Sequence, residues 1–173
     1  MSEGDDQGAG REILLATMID SAQWQRVLDI AKELLSEDTE NPKWHQAAGQ
    51  AELHLDDLPA ARKSLGAAIA LEPGDAFTHY LIAHALRLAG ENEEAEGSVM
   101  QAIELDPEEE DYWTELGWLS FERHDFESAR RCAGKARKLD PGSVRAATLS
   151  AAADSQLGDG TKGDPDAQVS ALE

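Results

Sequence analysis

Three segments of the chain, AIALEPGD, AIELDPEE and ARKLDPGS, carry proline at positions 73, 107 and 141, so the sequence repeats with a period of 34 residues. That period restricts the fold to a stack of similar units, because one unit of this size cannot bury its own apolar face and needs neighbours to cover it. Counting back from the prolines brings small residues into the same register: Gly49, Ala83 and Gly117; Ala61, Ala95 and Ala129; Ala68, Ala102 and Ala136. Small residues recur where two helix backbones must touch. A proline cannot continue a helix, so each one marks the passage to the next unit.

Within a unit the apolar residues follow a helical period. Repeat positions four, seven, eight and eleven share one face of a first helix, giving His79, Ile82, Ala83 and Leu86 in one copy and Trp113, Leu116, Gly117 and Ser120 in the next. The pattern predicts helix pairs over 42–55 with 58–71, 76–89 with 92–105, and 110–123 with 126–139. The turns between partners fall at Asp56-Asp57, Gly90-Glu91 and His124-Asp125.

The copy over 110–143 has Trp113, Leu116, Gly117, Phe126, Ala129, Ala136 and Pro141 in place, and with this set the chain resembles the tetratricopeptide-repeat family. The resemblance implies an all-α, right-handed solenoid of antiparallel helix pairs. Residues 42–75, 76–109 and 110–143 are clear units, and 8–41 is a degenerate one in which Val27 and Leu34 replace alanines and Thr39 replaces the proline. Residues 144–157 read as a capping helix, which hides the last apolar face of an open-ended stack. Residues 1–7 are expected to be a flexible N-terminus and 158–173 a disordered tail. One departure concerns the eleventh position of 42–75, where the family usually has a large aromatic and this chain has Glu52.

Composition narrows the function. The 173 residues include 35 Asp+Glu against 15 Lys+Arg, a formal charge of −20 that repels phosphate backbones and anionic lipid headgroups. Nucleic-acid binding and membrane insertion are therefore not expected. Cys132 is the only cysteine, so neither an internal disulfide nor a thiolate zinc cage is available. The acidic start MSEGDDQGAG lacks the basic and apolar regions of a secretory signal, and the expected location is cytoplasmic.

No pattern for catalysis emerges. Histidines 45, 54, 79, 84 and 124 include no HExxH and no i, i+4 pair, and phosphate-loop and GxSxG signatures are absent. The run Asp159–Asp166 has the wrong acid spacing for a calcium loop. The chain reads as a non-enzyme with no cofactor and no metal.

A second stripe on the first helices, at repeat positions two, five, nine and twelve, lines the concave peptide-binding groove in the resembling family. Here it holds Lys43, Gln46, Gln50 and Leu53, then Phe77, Tyr80, His84 and Arg87, then Asp111, Thr114, Trp118 and Phe121. Candidate peptide-groove residues are Gln50, Leu53, Phe77, Tyr80, His84, Trp118 and Phe121. Aromatic rings on such a stripe have two readings: anchors for a ligand, or packing against the next repeat or the cap. Family members that hold the C-terminal carboxylate of chaperone tails use Lys, Asn and Arg on and beside this stripe. This chain has Leu81, Asp111 and Glu115 there, so a carboxylate clamp is not expected and a peptide with apolar anchors and basic flanks fits better.

Charge also alternates along the chain. Residues 91–111 contain ten acids and no Lys or Arg, while 123–145 hold seven cations against three acids. Solvated helix faces paired within the molecule are one reading; head-to-tail association, as a weak homo-oligomer, is the other. Three function classes follow: a protein-interaction adaptor or scaffold module binding a peptide in the groove; an export chaperone of the kind serving bacterial type III secretion, which is similar in size, acidity and repeat number; and a self-assembling structural scaffold.

Overall fold

The computed structural model describes residues 3–160. These form nine α-helices and no strand: α1 (Glu3–Asp20), α2 (Trp24–Glu37), α3 (Pro42–His54), α4 (Leu58–Leu71), α5 (Ala76–Leu88), α6 (Asn92–Leu105), α7 (Glu110–Glu122), α8 (Phe126–Leu139) and α9 (Val144–Gly160). The fold is an all-α helical repeat. Helix α1 begins inside the segment expected to be flexible, 1–7. Helix α9 runs to Gly160, so residues 158–160 of the expected tail are helical, and the rest of that tail lies outside the described residues. Two compact units divide between Ala95 and Glu96.

The period is written most clearly in the backbone. Ala22, Asp56, Gly90 and His124 follow one another at the 34-residue interval, and all four adopt positive φ, from 52° at Ala22 to 78° at Gly90. Each lies in the turn between the two helices of a pair. In each turn the next residue's N–H reaches back five positions: Gln23 to Met18, Asp57 to Glu52, Glu91 to Leu86 and Asp125 to Ser120, at 2.9–3.0 Å. These bonds satisfy carbonyls that the ending helix leaves without a partner. The first pair, degenerate in sequence, makes the same turn as the others. Asp57 and Asp125 then start the second helices by accepting from the N–H of Ala60 and Ser128.

The passage between units has its own recurrent bond. The ring nitrogen at the fourth repeat position meets the carbonyl six residues earlier: His45 Nε2 on Thr39, His79 Nε2 on Pro73 and Trp113 Nε1 on Pro107, each at 2.9 Å. A carbonyl only accepts, so each histidine carries its proton on Nε2 at this contact. His45 and His79 are thus structural donors, interchangeable with an indole.

In the first unit, α3 and α4 cross at Gly49. A Cβ there would lie 2.5 Å from Leu65 Cγ and 3.1 Å from its backbone nitrogen, so only glycine permits this approach. In the first pair, Leu15 and Ala31 occupy the corresponding positions and join a core with Met18, Val27, Leu28, Leu34 and Trp44. Glu52, at the position where an aromatic was expected, is 5% exposed and accepts a 2.7 Å bond from Ser64 on α4. A polar contact between α3 and α4 replaces ring packing.

In the second unit, α9 packs on α7 and α8. Its Leu149 is fully buried with Ala129, Ala133 and Ala153, and it also fills the space where a Gly117 Cβ would stand. Arg145, on the first turn of α9, stands 2.5 Å from Asp111 and 3.3 Å from Glu115, whose side chain is fully buried. The acidic and basic blocks therefore meet partly inside this unit, also through Arg123 and Glu96.

Gly49→Ala should lower stability by about 1–3 kcal/mol through overpacking against Leu65. Gly66→Ala, on the open side of α4 where no atom lies within 4 Å of an added Cβ, should instead raise it by about 0.4–1 kcal/mol. Urea unfolding of the two variants checks both signs.

Candidate functional site

The seven groove candidates fall into two groups. In the first unit, Asp75 caps α5 by accepting from Thr78 N–H at 3.0 Å, which fixes the start of that helix. From there the stripe residues rise at helical spacing. Phe77 and Tyr80 have ring centroids 5.9 Å apart, Tyr80 and His84 lie 6.3 Å apart, and Arg87 meets His84 Nδ1 at 3.3 Å. Phe77 is 36% exposed, whereas Tyr80 is 8% exposed and is largely part of the core. On α3, Gln50 is half-buried and Leu53 is buried.

Beside this ladder lies a cavity of about 190 Å³ lined by Pro42, Lys43, Gln46, Glu72, Asp75 and Thr78 among others. Its polar wall is ordered: Gln46 donates through Nε2 to Asp75 and, at 2.7 Å, to the Thr78 hydroxyl, which in turn donates to Asp75. Lys43 is drawn to Glu12 of α1 at 3.0 Å, leaving the carboxylates of Glu72 and Asp75 to set the sign of the cavity. Gln46 and Lys43 belong to the same stripe as Gln50 and Leu53. Asp75 and Glu72 do not, and the helical-face argument passes over them because they sit in the turn before α5.

One contact was missed by the sequence reading. The Trp24 and His54 rings stack with centroids 3.8 Å apart and planes 7° from parallel. Burial, and secondarily electrostatic repulsion from the neighbouring His84, holds the pKa of the His54 imidazole below its ordinary value. No short-range spacing announces this pair, which joins α2 to the end of α3.

In the second unit Trp118 and Phe121 form an edge-to-face pair at 5.7 Å, and Phe121 continues to Phe126 at 5.2 Å. Both rings pack against Ala129, Ala133, Leu149 and Ala153 of α8 and α9. Cys132 on α8 is half-buried, and burial pushes its thiol up, which leaves it a poor nucleophile. Among the described residues no three His, Cys, Asp or Glu are placed to hold a metal ion, and no helix is long and apolar enough to cross a membrane.

Paired helices with small residues at the crossing, a recurrent left-handed turn and a 34-residue interval define a helical-repeat protein. Residues 78–109 match the tetratricopeptide-repeat family model, and the described pairs before and after that stretch repeat its turn geometry. That stretch is a tetratricopeptide repeat, set in an all-α helical-repeat fold. No curated protein matches it. Among solved structures it is similar to the MamA protein at 19% identity and a TM-score of 0.71, covering 87% of this chain and 82% of that one. It is also similar to TTC0263, a thermophilic tetratricopeptide-repeat protein of Thermus thermophilus, at 20% identity and a TM-score of 0.71, covering 81% and 77%. A third similar structure is the first tetratricopeptide-repeat domain of Spaghetti (RPAP3) bound to the HSP90 peptide SRMEEVD, at 15% identity and a TM-score of 0.66, covering 70% and 96%.

Because folding holds the His54 pKa down, the unfolded chain binds more protons once pH falls below about 6.5, and stability is lost as pH drops through that window. The Tm difference between pH 7.5 and 5.5 should shrink by about 1–3 °C in His54→Gln, as read by thermal melts at the two pH values.

Proposed function

We propose that the chain is a non-enzymatic protein-interaction module that binds a peptide segment of a partner on the α3–α5 stripe of the first unit. The observation that carries this reading is the juxtaposition of an exposed aromatic, Phe77, with the carboxylate-lined cavity at Glu72 and Asp75. An apolar side chain of the peptide rests on Phe77 and the edge of Tyr80, and a neighbouring Lys or Arg enters the cavity. The overall charge of −20 steers a basic segment toward any such site. The peptide complex of the Spaghetti domain supports a peptide as the class of ligand.

An acidic C-terminal tail does not suit this chain. Leu81 is buried, Asp111 is a carboxylate itself, and Glu115 is buried beside Arg145, so the positions that would hold a ligand carboxylate offer no free cation. Trp118 and Phe121 belong, in this reading, to the packing of the cap helix, while Gln50, Phe77 and His84 shape the ligand surface, with the largely buried Leu53 and Tyr80 behind it. A lone, half-buried cysteine accords with the reducing cytoplasm as the site of action.

Peptides selected on the full chain from a display library should be enriched for an apolar residue next to Lys or Arg. Phe77→Ala should weaken such a peptide by about 10–100-fold in calorimetric titration while Tm stays within 2 °C or so of the parent. Trp118→Ala should behave in the opposite way, losing about 3 kcal/mol of stability by chemical unfolding. A Phe77→Ala protein that binds as the parent does would refute the site, and selected peptides rich in Asp and Glu would refute the ligand class.

A further inference from the structure

Helices α6 and α8 hold the same place in successive 34-residue units, yet their outward faces have opposite charge. On α6 the exposed residues include Glu93, Glu94, Met100, Gln101 and Glu104, and the helix has no Lys or Arg. On α8 they include Arg130, Arg131, Lys135, Arg137 and Lys138, with Glu127 as the sole acid of the helix. Helix α8 thus has a net charge of +4 in a chain of −20.

Intramolecular pairing leaves much of this face unused. Arg123 is taken by Glu96 and Arg145 by Asp111 and Glu115. Arg130 pairs with Glu127 at 2.7 Å, and Lys135 stands over the Trp113 ring at 5.6 Å. Arg137 and Lys138, both exposed, form no ion pair among the described residues. Shape adds to charge. Gly134 lies between these cations with nothing within 4 Å of an added Cβ, a shallow gap on the helix face. At the corresponding position α6 presents Met100, 48% exposed, flanked by Gln101 and Glu104.

We infer that the α8 face is a docking surface for the α6 face of a second copy of this chain, with Met100 seated on Gly134 and the acids of α6 set against Arg137, Lys138 and Arg131. The occupant follows from complementarity: every copy bears both faces, each with the charge and relief the other lacks. Because the two faces differ, the contact is heterologous, and each added copy leaves one α6 and one α8 free. The inference is independent of the peptide-binding reading, since it uses neither α3 nor α5.

The net charge gives this contact an unusual salt dependence. At 0.01 M ionic strength the screening length is about 30 Å, so the whole −20 of each copy repels the other. At about 0.15 M it is about 8 Å; the long-range repulsion is damped while charges in contact still attract. At 1 M, about 3 Å, the contact pairs are screened as well. Sedimentation velocity on the full chain at one fixed concentration should show monomer at 0.01 M, larger species at 0.15 M and monomer again at 1 M NaCl.

Complementation decides the surfaces. Arg137→Glu with Lys138→Glu removes the α8 face, and Glu93→Lys with Glu104→Lys removes the α6 face; all four positions are exposed, and unchanged melts will show that folding survives. Each double variant alone should associate at least tenfold more weakly than the parent at 0.15 M. An equimolar mixture should associate again, because one variant retains α6 and the other α8. A monomeric parent at every ionic strength overturns the inference and leaves α8 to an acidic partner of another kind. Double variants that associate as the parent does overturn it too.

Discussion

The distance between two helices is set by the bulkiest atom at their crossing, and in this chain that atom is repeatedly missing. Gly49 lets α3 settle against Leu65 of α4, and Gly117 leaves room that Leu149 of α9 fills from the other side. Everything at the periphery depends on this approach. The left-handed turns can be tight because the helices they join are already close, and the stripe residues on the first helices are presented at a fixed height because the second helices support them from behind. A side chain at either glycine would have to be absorbed by interiors packed nearly as densely as molecular crystals, with little compliance to offer.

Polar groups inside this framework are accommodated by pairing and not by exclusion. Glu52 is buried with the Ser64 hydroxyl as donor, and Glu115 is buried facing Arg145. Both sit on first helices at positions where another member of the stack could have used a hydrocarbon. An ionised carboxylate costs far more than a methyl group when its partner is removed, so such sites tie the identity of one helix to that of its neighbour.

Much of the fold was legible because a period of 34 residues is a property of the sequence itself, and the all-α repeat follows from it. Pro73, Pro107 and Pro141 announce the passage between units, but the bonds that close it, from His45, His79 and Trp113 to the carbonyl six residues back, were not read, because His and Trp do not look alike in a residue alphabet. Their common property is a ring N–H at one height. The candidate site was legible only as a set of helix positions. Helical geometry places Tyr80 and Trp118 on equivalent faces, yet it cannot say which face a neighbouring element will cover. Trp118 lies against Leu149 and Ala153 of α9, whereas Phe77 keeps an open side. The turn carboxylates Glu72 and Asp75 escaped notice because the amphipathic pattern is silent outside helices.

The tie between Arg145 and Glu115 bears on how this end of the molecule comes apart. Terminal helices commonly fray, opening and closing with little consequence for the rest. Helix α9 is not free to do so: each excursion would withdraw both the leucine that fills the hollow at Gly117 and a cation facing a carboxylate already removed from water. The energetic penalty of a partial opening is therefore borne by α7 as well. Hydrogen exchange should report one cooperative block over α7, α8 and the stretch of α9 from Arg145 to Ala153.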